Sequence, residues 1–139
     1  MDRIRGFTLF ELVIAVAIAT VIATLAVTSY SHYVFRTRRT DAKHMLMSIA
    51  HSEERWYATY NRYTDDPRKL GYADPLMSPH DYYEMTLAVT GTDAQAYVVT
   101  ARPVGSQAGD VCGSFTIDNT GSKTPDRADE AANANGSCW

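Results

Sequence analysis

Residues 7–27, FTLFELVIAVAIATVIATLAV, form an apolar block of 21 residues that carries a single charge, Glu11. At 1.5 Å per residue, such a block is long enough to cross the hydrocarbon core of a bilayer as one helix. It also limits what the rest can do. Setting it aside leaves roughly 100 residues to build a core, and domains of that size are marginal without a staple.

Arg3 and Arg5 precede the block, and Gly6 separates them from it. A secretory signal peptide would end in a small-x-small cleavage site, but Ala15, Ala17 and Ala19 lie inside the apolar run rather than after it. Hydrophobicity alone leaves an ordinary signal anchor open. Glu11 discriminates. A carboxylate inside a membrane segment is expensive, so by default it marks a functional site with a partner to be named.

Topology holds a conflict. Arg36, Arg38, Arg39 and Lys43 follow the block, whereas only Arg3, Arg5 and the amino terminus precede it. Counting flanking cations would put the C-terminal side in the cytoplasm. The two cysteines, Cys112 and Cys138, argue the reverse. Their spacing fits no zinc pattern, and a lone pair in an oxidising compartment forms a bridge. That bridge would close a loop of about 27 residues, worth roughly 3 to 4 kcal/mol on the chain-entropy model. The cysteines and the leader carry more weight here than the cation count.

The distribution of charge narrows the partners. From Thr64 onward, five basic residues face eleven acidic ones, a net charge of −6. An acidic domain is a poor starting point for nucleic-acid binding.

From Ser29 to about Tyr60 there is no proline or glycine, and Ala42, Met45, Leu46, Ile49, Trp56 and Tyr60 recur at helical spacing. Asp41, Lys43, Ser48, Glu54 and Arg55 occupy the opposite face. One helix over residues 7–60 would be about 80 Å long. Asp65-Asp66-Pro67 ends any helix nearby, and residues 64–81 read as a loop. Strands follow, one alternating Tyr83, Met85, Leu87 and Val89, the next Tyr97, Val99 and Ala101, with a turn at Gly91-Thr92-Asp93. Residues 111–118 read as a third strand, and Asn119-Thr120-Gly121 turns the chain again. The expected fold is α+β: a long N-terminal helix, membrane-spanning first and amphipathic after, packed on a three- to four-stranded antiparallel sheet.

The run RIRG followed by FTLFELVIAVAI resembles the type IV prepilin signature, with its basic leader, glycine, aromatic residue, and glutamate five residues after the glycine. The resemblance implies cleavage by a prepilin peptidase between Gly6 and Phe7 and N-methylation of Phe7. It also implies a role for Glu11 in assembly, neutralising the N-terminal amine of a neighbouring subunit. The chemistry suits these residues. Glycine leaves the scissile bond unobstructed, and an amine and a carboxylate that are each costly in an apolar core offset one another when paired.

More weakly, a helix followed by such a sheet, with a late cysteine pair bounding a loop, is similar to the pilin headpiece. The stretch YVFRTRRTDAK, residues 57–64 and the ending Cys138-Trp139 resemble PilE-type minor pilins, including the ComP-like DNA-uptake branch. The resemblance divides the chain into a leader (1–6), a transmembrane or fibre-core helix (7–28) and a periplasmic headpiece (29–139). Within the headpiece it implies an amphipathic helix over about 29–61, a loop over 64–81, a sheet over 82–124 and a disulfide-closed loop over 112–138. Thr28 stands where many pilins have a helix-kinking proline.

These residues imply a structural pilus subunit, a minor pilin taking part in pilus assembly, rather than an enzyme. Its partners would be other pilin subunits, prepilin peptidase, the pilus assembly machinery and the inner membrane. Its location would be the inner membrane as a precursor and then the extracellular pilus. A pilus-displayed DNA receptor and a type II secretion pseudopilin are the alternatives. The late cysteine pair favours the pilus over the pseudopilus.

No catalytic constellation, cofactor site or metal site is expected. His51-x-x-Glu54 has ligand spacing but no second pair to complete it, and Ser114 lacks the glycine-flanked elbow of a hydrolase nucleophile. The basic run at Arg36, Arg38, Arg39 and Lys43 admits lipid headgroups, carboxylates of neighbouring subunits, or DNA phosphates. Lys123 and Arg127 are the candidate DNA contacts outside it, although DNA is not the favoured partner.

Overall fold

The computed structural model describes residues 7–125 and 138–139, without the side chains of residues 27–29. One helix, α1 (Leu9–Tyr60), leads into four strands: β1 (Tyr83–Thr90), β2 (Ala96–Pro103), β3 (Phe115–Asp118) and β4 (Lys123–Thr124). The strands form one antiparallel sheet in the order β1-β2-β3-β4. The fold is therefore α+β, as expected. The chain divides into two compact units, Met1–Val34 and Phe35–Trp139.

In the second unit, the inner face of α1 is set by Ala42, Met45, Leu46, Ile49 and Ala50, all buried. Against them the sheet presents Tyr83 and Met85 from β1, Tyr97, Val99 and Ala101 from β2, and Phe115 and Ile117 from β3. The register explains why these side chains share one face. Met85 lies opposite Ala101 and Ala101 opposite Phe115; Leu87 lies opposite Val99 and Val99 opposite Ile117. With a period of two, every inward residue of one strand meets an inward residue of the next.

Two expectations need correction. The helical stripe does not continue through Tyr60, which is 53% exposed, and Trp56 is only partly buried; Ser52 and Glu53 occupy the buried positions instead. From Ile49 the inner face moves on by three and four residues to Ser52 and Glu53, because 3.6 residues make a turn. The third strand begins at Phe115, not Val111. Residues 111–114 form a turn in which Cys112 N–H donates to the Asp110 carboxylate and Gly113 adopts φ +59°. At its C-terminal end α1 stops at Tyr60, the expected residue, ahead of Asp65-Asp66-Pro67. Asn61 takes the left-handed conformation (φ 53°), and its N–H closes on Tyr57 O at 2.8 Å.

Residues 64–81 are not structureless either. Pro67–Leu70 makes a short 3₁₀ turn, with Asp66 accepting from Arg68 N–H and Gly71 closing it at φ 86°. Met77 then bridges to Glu84 and covers the start of the β1 edge.

Candidate functional site

In the first unit, apolar side chains point outward on every side of the helix. Phe7, Leu9, Phe10, Leu12, Val13, Val16, Ile18, Val21, Ile22 and Leu25 are all exposed. A helix that is apolar all round requires a surrounding apolar medium. Thr20 and Thr24 are compatible with one, because they donate their hydroxyls back to Val16 O and Val21 O, each at 2.8 Å. Length and composition together suffice for one membrane crossing.

The start of this helix is organised around Glu11. Thr8 N–H and Thr8 Oγ1–H both donate to Glu11 Oε2 at 2.9 Å, and Glu11 N–H donates to Thr8 Oγ1 at 3.3 Å. This is a reciprocal capping box, which satisfies backbone donors that the first turn leaves unpaired. It holds the carboxylate back over the helix terminus, one residue from Phe7. The Thr8-x-x-Glu11 spacing is a legible signal, and reading Glu11 alone passes over it.

In the second unit, the loop after β2 is tied to α1 by a buried ion pair. Arg39 Nε donates to Asp110 Oδ2 at 2.8 Å and Arg39 Nη2 donates to Asp110 Oδ1 at 2.6 Å. Both side chains are almost wholly buried, at 2% and 1% exposure. Gln107 Nε2 lies 2.9 Å from Asp110 Oδ2, 3.0 Å from Tyr83 Oη and 3.2 Å from Phe35 O. Burial pushes the Tyr83 phenol up to about 12, so it stays protonated.

Two residues after Asp110, Cys112 is bonded to Cys138. The bond brings Trp139 edge-on to Phe115, with ring centroids 5.7 Å apart, and the indole N–H donates to Thr124 O at 2.7 Å. Trp139, partly buried, thereby packs against the core. Lys123 lies over the same indole ring, 4.8 Å from its centroid.

A membrane-length apolar helix capped by a carboxylate, ahead of a helix-on-sheet head closed by a late disulfide, has counterparts among known proteins. Residues 1–27 match the prokaryotic N-terminal methylation motif. Residues 28–116 match the family described as type IV minor pilin ComP, DNA uptake sequence receptor. The chain belongs to this family of type IV minor pilins. Over 80 residues it is 32% identical to the type IV major pilin protein PilA of Myxococcus xanthus, a match covering 58% of this chain and 36% of PilA. The matched stretch thus covers about a third of that relative's length. In structure, the pilin is similar to a type IV pilin from Shewanella oneidensis, with 27% identity and a TM-score of 0.55 over 76% of this chain and 97% of that one. The non-core minor pilin PilV of Neisseria meningitidis aligns with 20% identity and a TM-score of 0.49, over 66% of this chain and 86% of that one.

The expected site residues of the pilin fall in different places. Phe7 and Glu11 lie together at the helix start, while Gly6 is outside the described residues. Cys112 and Cys138 are joined. Lys123 sits on the Trp139 ring, far in sequence from the helix start, and Arg127 is outside the described residues.

The basic run does not behave as a block. Arg39 is buried on Asp110, which none of its three expected uses included, and Arg38 donates to Ser106 Oγ at 2.9 Å while lying 4.4 Å from the centre of the Tyr82 ring. No sequence signal could have paired Arg39 with a residue 71 positions away.

Proposed function

We propose that this pilin is inserted as a precursor with its head in the periplasm, trimmed between Gly6 and Phe7, methylated on Phe7 and assembled into a type IV pilus. There it serves as a minor structural subunit. The reading rests chiefly on one observation: the first-unit part of α1 is apolar on every face and carries one carboxylate, held over its first turn by Thr8. The apolar faces supply the fibre core. Glu11 supplies the countercharge for a neighbour's N-terminal amine. Of its two oxygens, Oε2 accepts both Thr8 bonds. The disulfide between Cys112 and Cys138 supports the periplasmic placement, since such bonds persist in oxidising compartments.

Processing provides the test. Intact-mass measurement on protein from piliated cells is expected to give a chain that begins at Phe7 and is one methyl group heavier. A chain beginning at Met1, or after one of Ala15, Ala17 and Ala19, would remove the basis for this reading.

A second reading is favoured by the family description, which names a DNA uptake sequence receptor. In this chain the region from Thr64 onward carries a net charge of −6, and Lys123 is engaged with Trp139. Non-specific binding draws its strength from phosphate neutralisation, which such a surface supplies poorly. Fluorescence anisotropy with the full chain in detergent is therefore expected to show no strong affinity for mixed-sequence DNA at physiological salt. Weak general binding with a marked preference for one sequence would favour a receptor. Tight, steeply salt-dependent binding to any sequence would overturn the charge argument.

A further inference from the structure

Glu53 is the one member of the α1 inner face that is both acidic and fully buried, with 0% of the residue exposed. Its Oε2 accepts from Thr64 N–H at 3.2 Å, while its Oε1 is buried with no hydrogen-bond partner among the described residues. The bonded amide belongs to the segment that leaves the helix and turns toward Pro67–Leu70. Beside Thr64 lies a cavity of about 200 Å³ lined in part by Trp56, Arg62, Asp65 and Lys69.

We infer that Glu53 is a proton-dependent latch, holding residues 62–70 against α1 while neutral and releasing them when it ionises. A buried carboxylate with one oxygen unpartnered is costly, whereas the neutral acid is much less so. The charges acting on it share its sign: Glu54 from α1 and Asp65 from the segment itself. The other titratable groups within its field are the phenols of Tyr63, from the segment, and Tyr97, from β2. Arg62 and Lys69 line the adjoining cavity but are exposed to water. Ionisation therefore draws Glu53 toward solvent, and the contact it makes with Thr64 goes with it.

Burial first, and then Glu54 and Asp65, push the Glu53 carboxyl from its ordinary 4.5 to about 7, against the opposing pull of the Thr64 bond. An acid raised on folding binds its proton more tightly in the folded state. Its stabilisation is complete below the unfolded value of 4.5 and is lost as the pH rises through about 7.

Hydrogen exchange on the full chain in detergent tests this, with rates corrected for base catalysis. Protection of the Thr64 amide is expected to fall about tenfold between about pH 6 and about pH 8. In Glu53→Gln, which keeps the shape without the titration, protection is expected to stay level. Parallel profiles in the two proteins would overturn the proposal. If Glu53→Gln does not fold, a carbon-13 titration of the wild-type Glu53 carboxyl decides. A midpoint near 7 with wild-type Thr64 protection falling across it upholds the latch; a midpoint near 4.5, or protection that stays level through the titration, removes it.

Discussion

Glu11→Gln is expected to leave the pilin inserted and trimmed, yet to lower its incorporation into fibres by more than about tenfold. The capping box makes this substitution informative. Glutamine at the third position of the helix can still accept from Thr8 and reach back over the terminus, so the helix start is preserved. What it cannot supply is charge. A neighbour's amine would then enter an apolar core uncompensated, which is the costly half of a broken buried pair.

Glu11→Ala removes the charge and the cap together. Insertion of this variant should be at least as favourable as before, because a charge has left the apolar segment. The measurements are membrane-inserted protein, its N-terminal residue and the amount in sheared pili, each with the variant as the only copy. Equal failure of both variants assigns the defect to charge. Failure of Glu11→Ala with normal incorporation of Glu11→Gln would assign it to the cap. Normal incorporation of both would leave Glu11 no part in subunit pairing.

The second large effect is expected in the head. Asp110 accepts from both Arg39 Nε and Arg39 Nη2, from Gln107 Nε2, and from Cys112 N–H. Replacing Asp110 with alanine withdraws the acceptor from all of them at once and leaves a guanidinium in a site that excludes water. Removing one member of such a pair costs about 3 to 5 kcal/mol. For a domain of roughly 100 residues this lowers Tm by about 15 °C or more.

Arg39→Lys should fall between wild type and Asp110→Ala, because an ammonium keeps the charge but lacks the planar fork that meets both oxygens. Thermal unfolding of the full chain in detergent, with the disulfide intact, measures all three proteins. A loss below about 1 kcal/mol in Asp110→Ala would place the pair with exposed ion pairs and deny it the role of tying the post-β2 loop to α1.

Much of this molecule is legible along the chain because the physics involved is local. The apolar block, its lone carboxylate and the basic leader are contiguous, so length, composition and the motif are read together from one stretch of chain. Strand alternation at Tyr83, Met85, Leu87 and Val89, and again at Tyr97, Val99 and Ala101, names the inner face of β1 and β2, since a pleat has period two. Two cysteines admit only one intramolecular pairing.

What the chain could not declare is decided by residues far apart in sequence. Arg39 looks like part of a solvated basic run until folding brings Asp110 to it, because an ion pair across 71 positions leaves no periodic trace. Glu53 stands where the helical phase calls for an apolar residue, so its charge conceals its place on the inner face. The tertiary structure buries it all the same. The apolar packing of Leu46, Ile49 and Tyr97 outweighs the cost of one carboxyl, provided that carboxyl can keep its proton.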